Sequence, residues 1–106
     1  MNKNEILEYI KENPWEICMY DEDDEDLQLA AISENAFSIR YIQNPTEKVQ
    51  LKAVKKRPEL IANIKRPADS IVRYIIENCK KDIIQTMNVD FDKLPDDLKL
   101  LLELEF

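Results

Sequence analysis

Apolar positions in this chain recur with two periods at once. Within a short window they follow helical spacing. Leu27, Ala31 and Ile32 form one stripe with Leu29 beside it, Asn35 interrupts it, and Phe37, Ile39, Tyr41 and Ile42 begin another. Over a longer span the whole pattern returns after 22 residues. Gln28, Leu29, Ala31, Ile42 and Pro45 come back as Gln50, Leu51, Ala53, Ile64 and Pro67, and Leu27, Ile32 and Ile39 return as Val49, Val54 and Ile61. Two ladders extend this spacing in both directions: Ile10, Ile32, Val54 and Ile76, and Ile17, Ile39, Ile61 and Ile83. A fixed period of this size is the mark of a repeat architecture. It predicts four units, at 5–26, 27–48, 49–70 and 71–92, closed by a cap at 94–106.

Each unit is expected to be a helix, a tight connection and a shorter helix. Pro14 and Pro58 lie two repeats apart, where a second helix would begin and a missing N–H costs nothing. Asn13 is a candidate cap for the helix that Pro14 opens. Pro45 and Pro67 end the second helices, because the residue before a proline is steered out of the α region. Thr46 and Asp69 are then candidate N-caps for the helices that follow. A pair of helices this short cannot bury its apolar face alone, so the units should stack. The expected fold is a single all-α domain, a short α-solenoid-like stack.

The ends diverge from the inner units, as terminal repeats do. Trp15, Met19 and Tyr20 form a heavier apolar set suited to closing the first layer, and Trp15, Phe37, Tyr41 and Tyr74 fall at core-like positions. Tyr9 and Tyr20 are ambiguous between core and contact surface. At the other end, Pro95, Asp96 and Asp97 are expected to open a last helix, where the helix dipole favours acids. Leu94, Leu98, Leu101 and Leu102 give that helix one apolar stripe. Leu100, Leu104 and Phe106 leave apolar groups on a second side, a candidate contact between copies.

Composition sharpens the picture mainly through what is missing. Among 106 residues there is no glycine and no histidine. Tight hairpins and phosphate-cradling loops depend on glycine, so a β-rich fold and a nucleotide-binding loop are disfavoured. Without histidine, general acid–base catalysis would rest on Asp, Glu, Lys, Tyr or Cys alone, and no cofactor or metal site is indicated. Cys18 and Cys79 lack the spacing of a metal pair and are expected to be free thiols. The chain starts polar and has no apolar run near the ~20 residues of a transmembrane helix. The expectation is a cytoplasmic protein that does not associate with membranes.

The net charge of −7 is unevenly spread. Residues 1–48 carry a balance of −8, residues 49–87 of +5 and residues 88–106 of −4. Two clusters stand out. Asp21, Glu22, Asp23, Asp24, Glu25 and Asp26 could be a recognised acidic patch or a solvated linker that partly caps the next helix. They do not form an EF-hand loop, which needs glycine at its sixth position and glutamate at its twelfth, where this chain has Asp26 and Ile32. The opposite cluster is Lys52, Lys55, Lys56, Arg57, Lys65 and Arg66, with Lys52, Lys55 and Lys56 placed on one helix face. Nucleic-acid binding would want interleaved stacking aromatics and a favourable overall field. The acidic chain offers neither.

The string Leu27-Gln-Leu-Ala-Ala-Ile-Ser-Glu-Asn-Ala-Phe-Ser-Ile-Arg-Tyr-Ile, followed by Gln-Asn-Pro-Thr-Glu-Lys-Val-Gln-Leu-Lys-Ala-Val, resembles the short tandem helical repeats of uncharacterised phage, prophage and bacterial proteins. The resemblance covers residues 27–70 well and the outer units in outline, and Arg57, Glu59 and Asn63 depart from it. It implies a helical scaffold and a phage origin, with no activity to carry over. The functional expectation is a non-enzymatic protein–protein interaction module, such as an acidic phage-encoded modulator of a host protein, which meets a basic partner through Asp21 to Asp26. The alternatives are self-assembly, with the first unit of one copy against the third of another or the last helix paired across a two-fold axis, and, ranked below it, nucleic-acid binding through the basic cluster.

Overall fold

The computed structural model describes residues 2–20 and 24–105, and all regular structure among them is helical. Four α-helices of equal length begin 22 residues apart: α1 (Lys3–Glu12), α2 (Glu25–Glu34), α3 (Glu47–Lys56) and α4 (Asp69–Asn78). After each of the first three, one non-helical residue leads into a 3-10 helix. These are η1 (Pro14–Met19), η2 (Ala36–Tyr41) and η3 (Pro58–Asn63), again 22 residues apart. In the fourth unit a short α-helix, α5 (Lys81–Ile84), takes that place. A 3-10 turn, η4 (Phe91–Lys93), and a final helix, α6 (Asp96–Glu105), complete the chain.

The units stack in two layers. In one layer α1 packs on α2, α2 on α3, α3 on α4 and α4 on α6; in the other η1 packs on η2, η2 on η3 and η3 on α5. The result is elongated, 50 × 22 × 15 Å with a radius of gyration of 14.9 Å, where a compact domain of this length would have about 13 Å. Between the layers runs the predicted core: Ile10, Ile32, Val54 and Ile76 are buried, as are Ile17, Ile39 and Ile61.

The second ladder breaks at its last rung for a local reason. Cys79 ends α4 extended, but Lys80 is extended as well, so α5 starts one residue later than the repeat predicts. Ile84 therefore sits at the same offset from its helix start as Ile17, Ile39 and Ile61 do from theirs, and it is buried while Ile83 is only half-buried.

The chain manages without glycine because no described residue has a positive φ. The α-helices end at Asn13, Asn35, Arg57 and Cys79, the last three in an extended conformation and Asn13 at φ −135°, ψ 63°, each with its N–H still bonded to the carbonyl four residues back. A left-handed cap is not needed. N-caps also fall every 22 residues. Asn2 Oδ1 accepts from Glu5 N at 2.9 Å, Asp24 Oδ1 from Asp26 N at 2.9 Å, and Thr46 Oγ1 from Val49 N at 3.3 Å. Two expected caps are corrected. Asp69 is the first residue inside α4, after Ala68, which has no side chain to cap with. The Asn13 side chain turns back and donates to Tyr9 O at 3.2 Å, so it closes α1 and does not open η1.

Two buried glutamines tie consecutive units together. Gln28 Nε2 donates to Asn44 O at 3.4 Å and its Oε1 accepts from Thr46 N at 3.2 Å. Gln50 Nε2 donates to Pro45 O at 3.0 Å and its Oε1 accepts from Ala68 N at 2.8 Å. Each glutamine thus satisfies backbone groups of a proline loop that would otherwise lose water without compensation. Position 72, the next in the series, is Val72, and the loop that follows has no proline. There Asn88 bonds instead to the carbonyls of Ala62 and Ile64, at 2.9 and 3.1 Å.

Candidate functional site

The expected packing role of the large apolar residues in the first units is overturned. Trp15 is 51% exposed and Met19 75% exposed, so neither closes the first layer, and Phe37 and Tyr41 are also exposed. Tyr74 is half-buried against the core. The cause is the second helix being 3-10. With three residues per turn and Ile17 and Ile39 turned inward, the positions two before and two after them point away from the core. The repeat places Phe37 one unit on from Trp15 and Tyr41 one unit on from Met19, on neighbouring 3-10 helices. The same positions in the third unit hold Glu59 and Asn63, and in the fourth, shifted by one residue, Asp82 and Thr86. An apolar ridge is thereby confined to the 3-10 layer of the first two units. Arg57 stacks at its edge, its guanidinium carbon 5.0 Å from the Phe37 ring centroid.

Next to the ridge lies a groove of about 670 Å³ at the C-terminal ends of the 3-10 helices, to which Cys18, Arg40, Tyr41, Asn63, Lys65 and Arg66 contribute. Lys65 and Arg66 occupy the positions held by Gln43 and Asn44 in the preceding loop. Arg40, Lys65 and Arg66 are exposed and form no ion pair with another described residue. Sequence comparison among the repeats holds the signal for the ridge. A core position is apolar in every copy, as at 17, 39 and 61, whereas the Trp15 and Met19 positions turn polar in later copies.

The six basic residues expected to form one patch are divided among four places, of which Arg57 beside Phe37 is one. Lys52 donates to Ser33 Oγ, and Lys56 donates to Ile32 O at 3.3 Å and Ser33 O at 2.7 Å, satisfying the carbonyl end of α2. Lys55 lines a second groove of about 740 Å³ in the α layer with Leu51, Ile71 and Tyr74. Only Lys65 and Arg66 reach the groove beside the ridge. A helix turns about 100° per residue, so Lys55 and Lys56 leave α3 in different directions.

Of the acidic run, Asp21, Glu22 and Asp23 lie outside the described residues. Lys3 bridges the other end, 3.2 Å from Asp24 and 2.8 Å from Asp26, and so ties α1 to α2. Burial works to raise the Asp24 pKa, but the hydrogen bond from Lys3 and the N–H groups of Leu27 and Asp26 outweigh it and hold the carboxyl below its ordinary value. Lys3 is correspondingly raised, first by its bond to Asp26 and then by that to Asp24. Glu25 lines the groove in the α layer. Leu94, just before α6, and Leu98 and Leu102 on it are buried and Leu101 is half-buried, while Leu100 and Leu104 are exposed on the predicted second side; Phe106 lies outside the described residues.

Tyr9 meets Tyr20 edge-on, ring centroids 5.7 Å apart, and its hydroxyl is pushed up in pKa by a hydrogen bond with Glu16. Both cysteines are free thiols, Cys18 exposed and Cys79 half-buried, and desolvation raises the Cys79 thiol. Among the described residues, no group of three or more His, Cys, Asp or Glu is placed to hold a metal ion, and no helix is long and apolar enough to cross a membrane. Comparison with known proteins finds no matching family model, no matching curated sequence and no matching solved structure.

Proposed function

We propose that this chain is a non-enzymatic helical-repeat module that binds another protein, and that the binding surface is the apolar ridge of Trp15, Met19, Phe37 and Tyr41. The observation that carries this reading is the exposure of these four side chains on one layer of two adjacent units. Aromatic and methionine side chains are the residue types enriched at the cores of protein interfaces. Contiguous apolar patches on a monomer's surface commonly mark interaction sites. The partner presents apolar side chains to the ridge. A host protein engaged by a phage-encoded modulator is the setting to which the repeat resemblance points.

Site-specific photo-crosslinking tests the reading. A benzoylphenylalanine placed at Met19 or at Phe37 should crosslink one and the same protein in the native host, and one placed at the exposed Lys93 should not. The adduct should disappear when Trp15→Asp is added. Equal crosslinking from all three positions, or none from the ridge, would refute it.

A further inference from the structure

We propose that the segment bound by the ridge is acidic, and that its carboxylates seat in the adjoining groove against Arg40, Lys65 and Arg66; this rests on the ridge reading and names the chemistry of the partner. Three observations converge on it. The groove is concave and large enough for a few side chains, about 670 Å³. Its three cations have no ion-pair partner among the described residues and so are available to an incoming carboxylate. Tyr41 belongs to both surfaces, exposed on the ridge and lining the groove, so one bound segment can touch both.

The repeat itself shows that the charge is specific to this place. At the first two positions of the loop in the preceding unit stand Gln43 and Asn44, where the third unit has Lys65 and Arg66. The second unit keeps the same fold with a pair of neutral amides there, so the pair of bases in the third loop is not required by folding. Asn63 and Asn44 add side-chain amides that can donate to a carboxylate.

A protein segment fits better than a nucleic acid. A strand of phosphates needs positive potential along its length. Here the basic zone is flanked by stretches with balances of −8 and −4, so it can serve only a local anionic cluster. Among the described residues the groove holds a single aromatic ring, Tyr41, where single-stranded nucleic acids are bound on a series of them.

The test is an NMR titration of the intact, isotope-labelled chain with three probes: a short blocked peptide carrying Glu and Asp beside a Leu–Phe pair, the same peptide with Gln and Asn in place of the acids, and a short single-stranded RNA. The acidic peptide should shift the resonances of Arg40, Tyr41, Lys65 and Arg66 and bind about tenfold more tightly than its amide analogue at low salt, the effect of about three exposed ion pairs. High salt should erase the difference. The triple variant Arg40→Gln, Lys65→Gln, Arg66→Gln replaces exposed side chains, and with an unchanged circular dichroism spectrum it should bind both peptides equally. If the amide analogue binds the wild type as tightly as the acidic peptide, the ridge reading stands and the acidic-partner inference falls. If neither peptide shifts the ridge or the groove, both fall. RNA that binds more tightly than the acidic peptide and is lost in the triple variant would assign the groove to nucleic acid instead.

Discussion

Replacing Gln50 with Leu keeps the side-chain volume nearly constant and removes the two hydrogen bonds that join the third unit to its flanking loops. Gln50 is buried, and its bonds to Pro45 O and Ala68 N, at 3.0 and 2.8 Å, have near-ideal lengths. Each contributes about 1 kcal/mol net, and the orphaned groups belong to half-buried residues that water can partly reach, so the expected loss is about 2 kcal/mol. Gln28→Leu should cost about 1 kcal/mol, because its bonds at 3.4 and 3.2 Å are longer. For a chain of this size these losses correspond to melting temperatures lower by roughly 10 and 5 °C. The two glutamines grip the same loop, Gln28 at Asn44 and Thr46 and Gln50 at Pro45. The double variant should therefore lose less than the sum of the singles, by about 0.5 kcal/mol. Urea denaturation followed by circular dichroism measures the stabilities. Hydrogen exchange at the Ala68 amide isolates the local effect, since that N–H loses its acceptor. A Gln50→Leu protein as stable as wild type, or an Ala68 amide that exchanges no faster, would refute this account of how the loops are held.

The one-residue slip in the fourth unit predicts unequal costs at neighbouring isoleucines. Ile84→Ala should destabilise by about 3 kcal/mol and Ile83→Ala by less than half of that, as read by urea midpoints. Because the Asp24 pKa lies below its unfolded value, its contribution to stability is present above the ordinary carboxylate pKa and declines as pH falls through the depressed folded value. Lys3→Ala should move the Asp24 pKa upward in a carboxyl NMR titration and leave the acid midpoint of unfolding less dependent on Asp24. Lys3, raised above 10.5, contributes fully below that pH and loses its contribution as pH rises through the raised value. Cys18 should be alkylated well before Cys79 in mildly alkaline solution, since Cys79 is half-buried with its thiol raised; mass spectrometry of the singly modified protein locates the label. Equal rates at the two sites would contradict the burial of Cys79.

The repeat was legible because its causes are local and recur. Four helix starts, the Thr46 N-cap, the prolines opening η1 and η3, and the ladder of Ile10, Ile32, Val54 and Ile76 all follow from helical spacing and a constant period. The two-sided character of α6 was also readable, since Leu98 and Leu102 lie on one stripe and Leu100 and Leu104 on another. The candidate site was less legible. A window of one repeat makes Trp15, Phe37 and Tyr41 look like core, because apolar residues at short spacing fit an α-helix. In a 3-10 helix of six residues the inward-facing set is narrower, and those side chains fall outside it.

The sequence alone determined the number of units, their length and the inner isoleucine ladders, because burying those residues is the only way such short helices become stable. Tertiary structure decided everything that depends on neighbours. It sent Lys52 and Lys56 back to the carbonyl end of α2 and Lys55 and Arg66 to separate grooves. It set Gln28 and Gln50 inside the stack as clamps on the proline loops, and it left Trp15 and Met19 uncovered. The physical reason is range: helix spacing and capping act within one turn, while the partner of a long polar side chain is chosen by a unit 22 residues away.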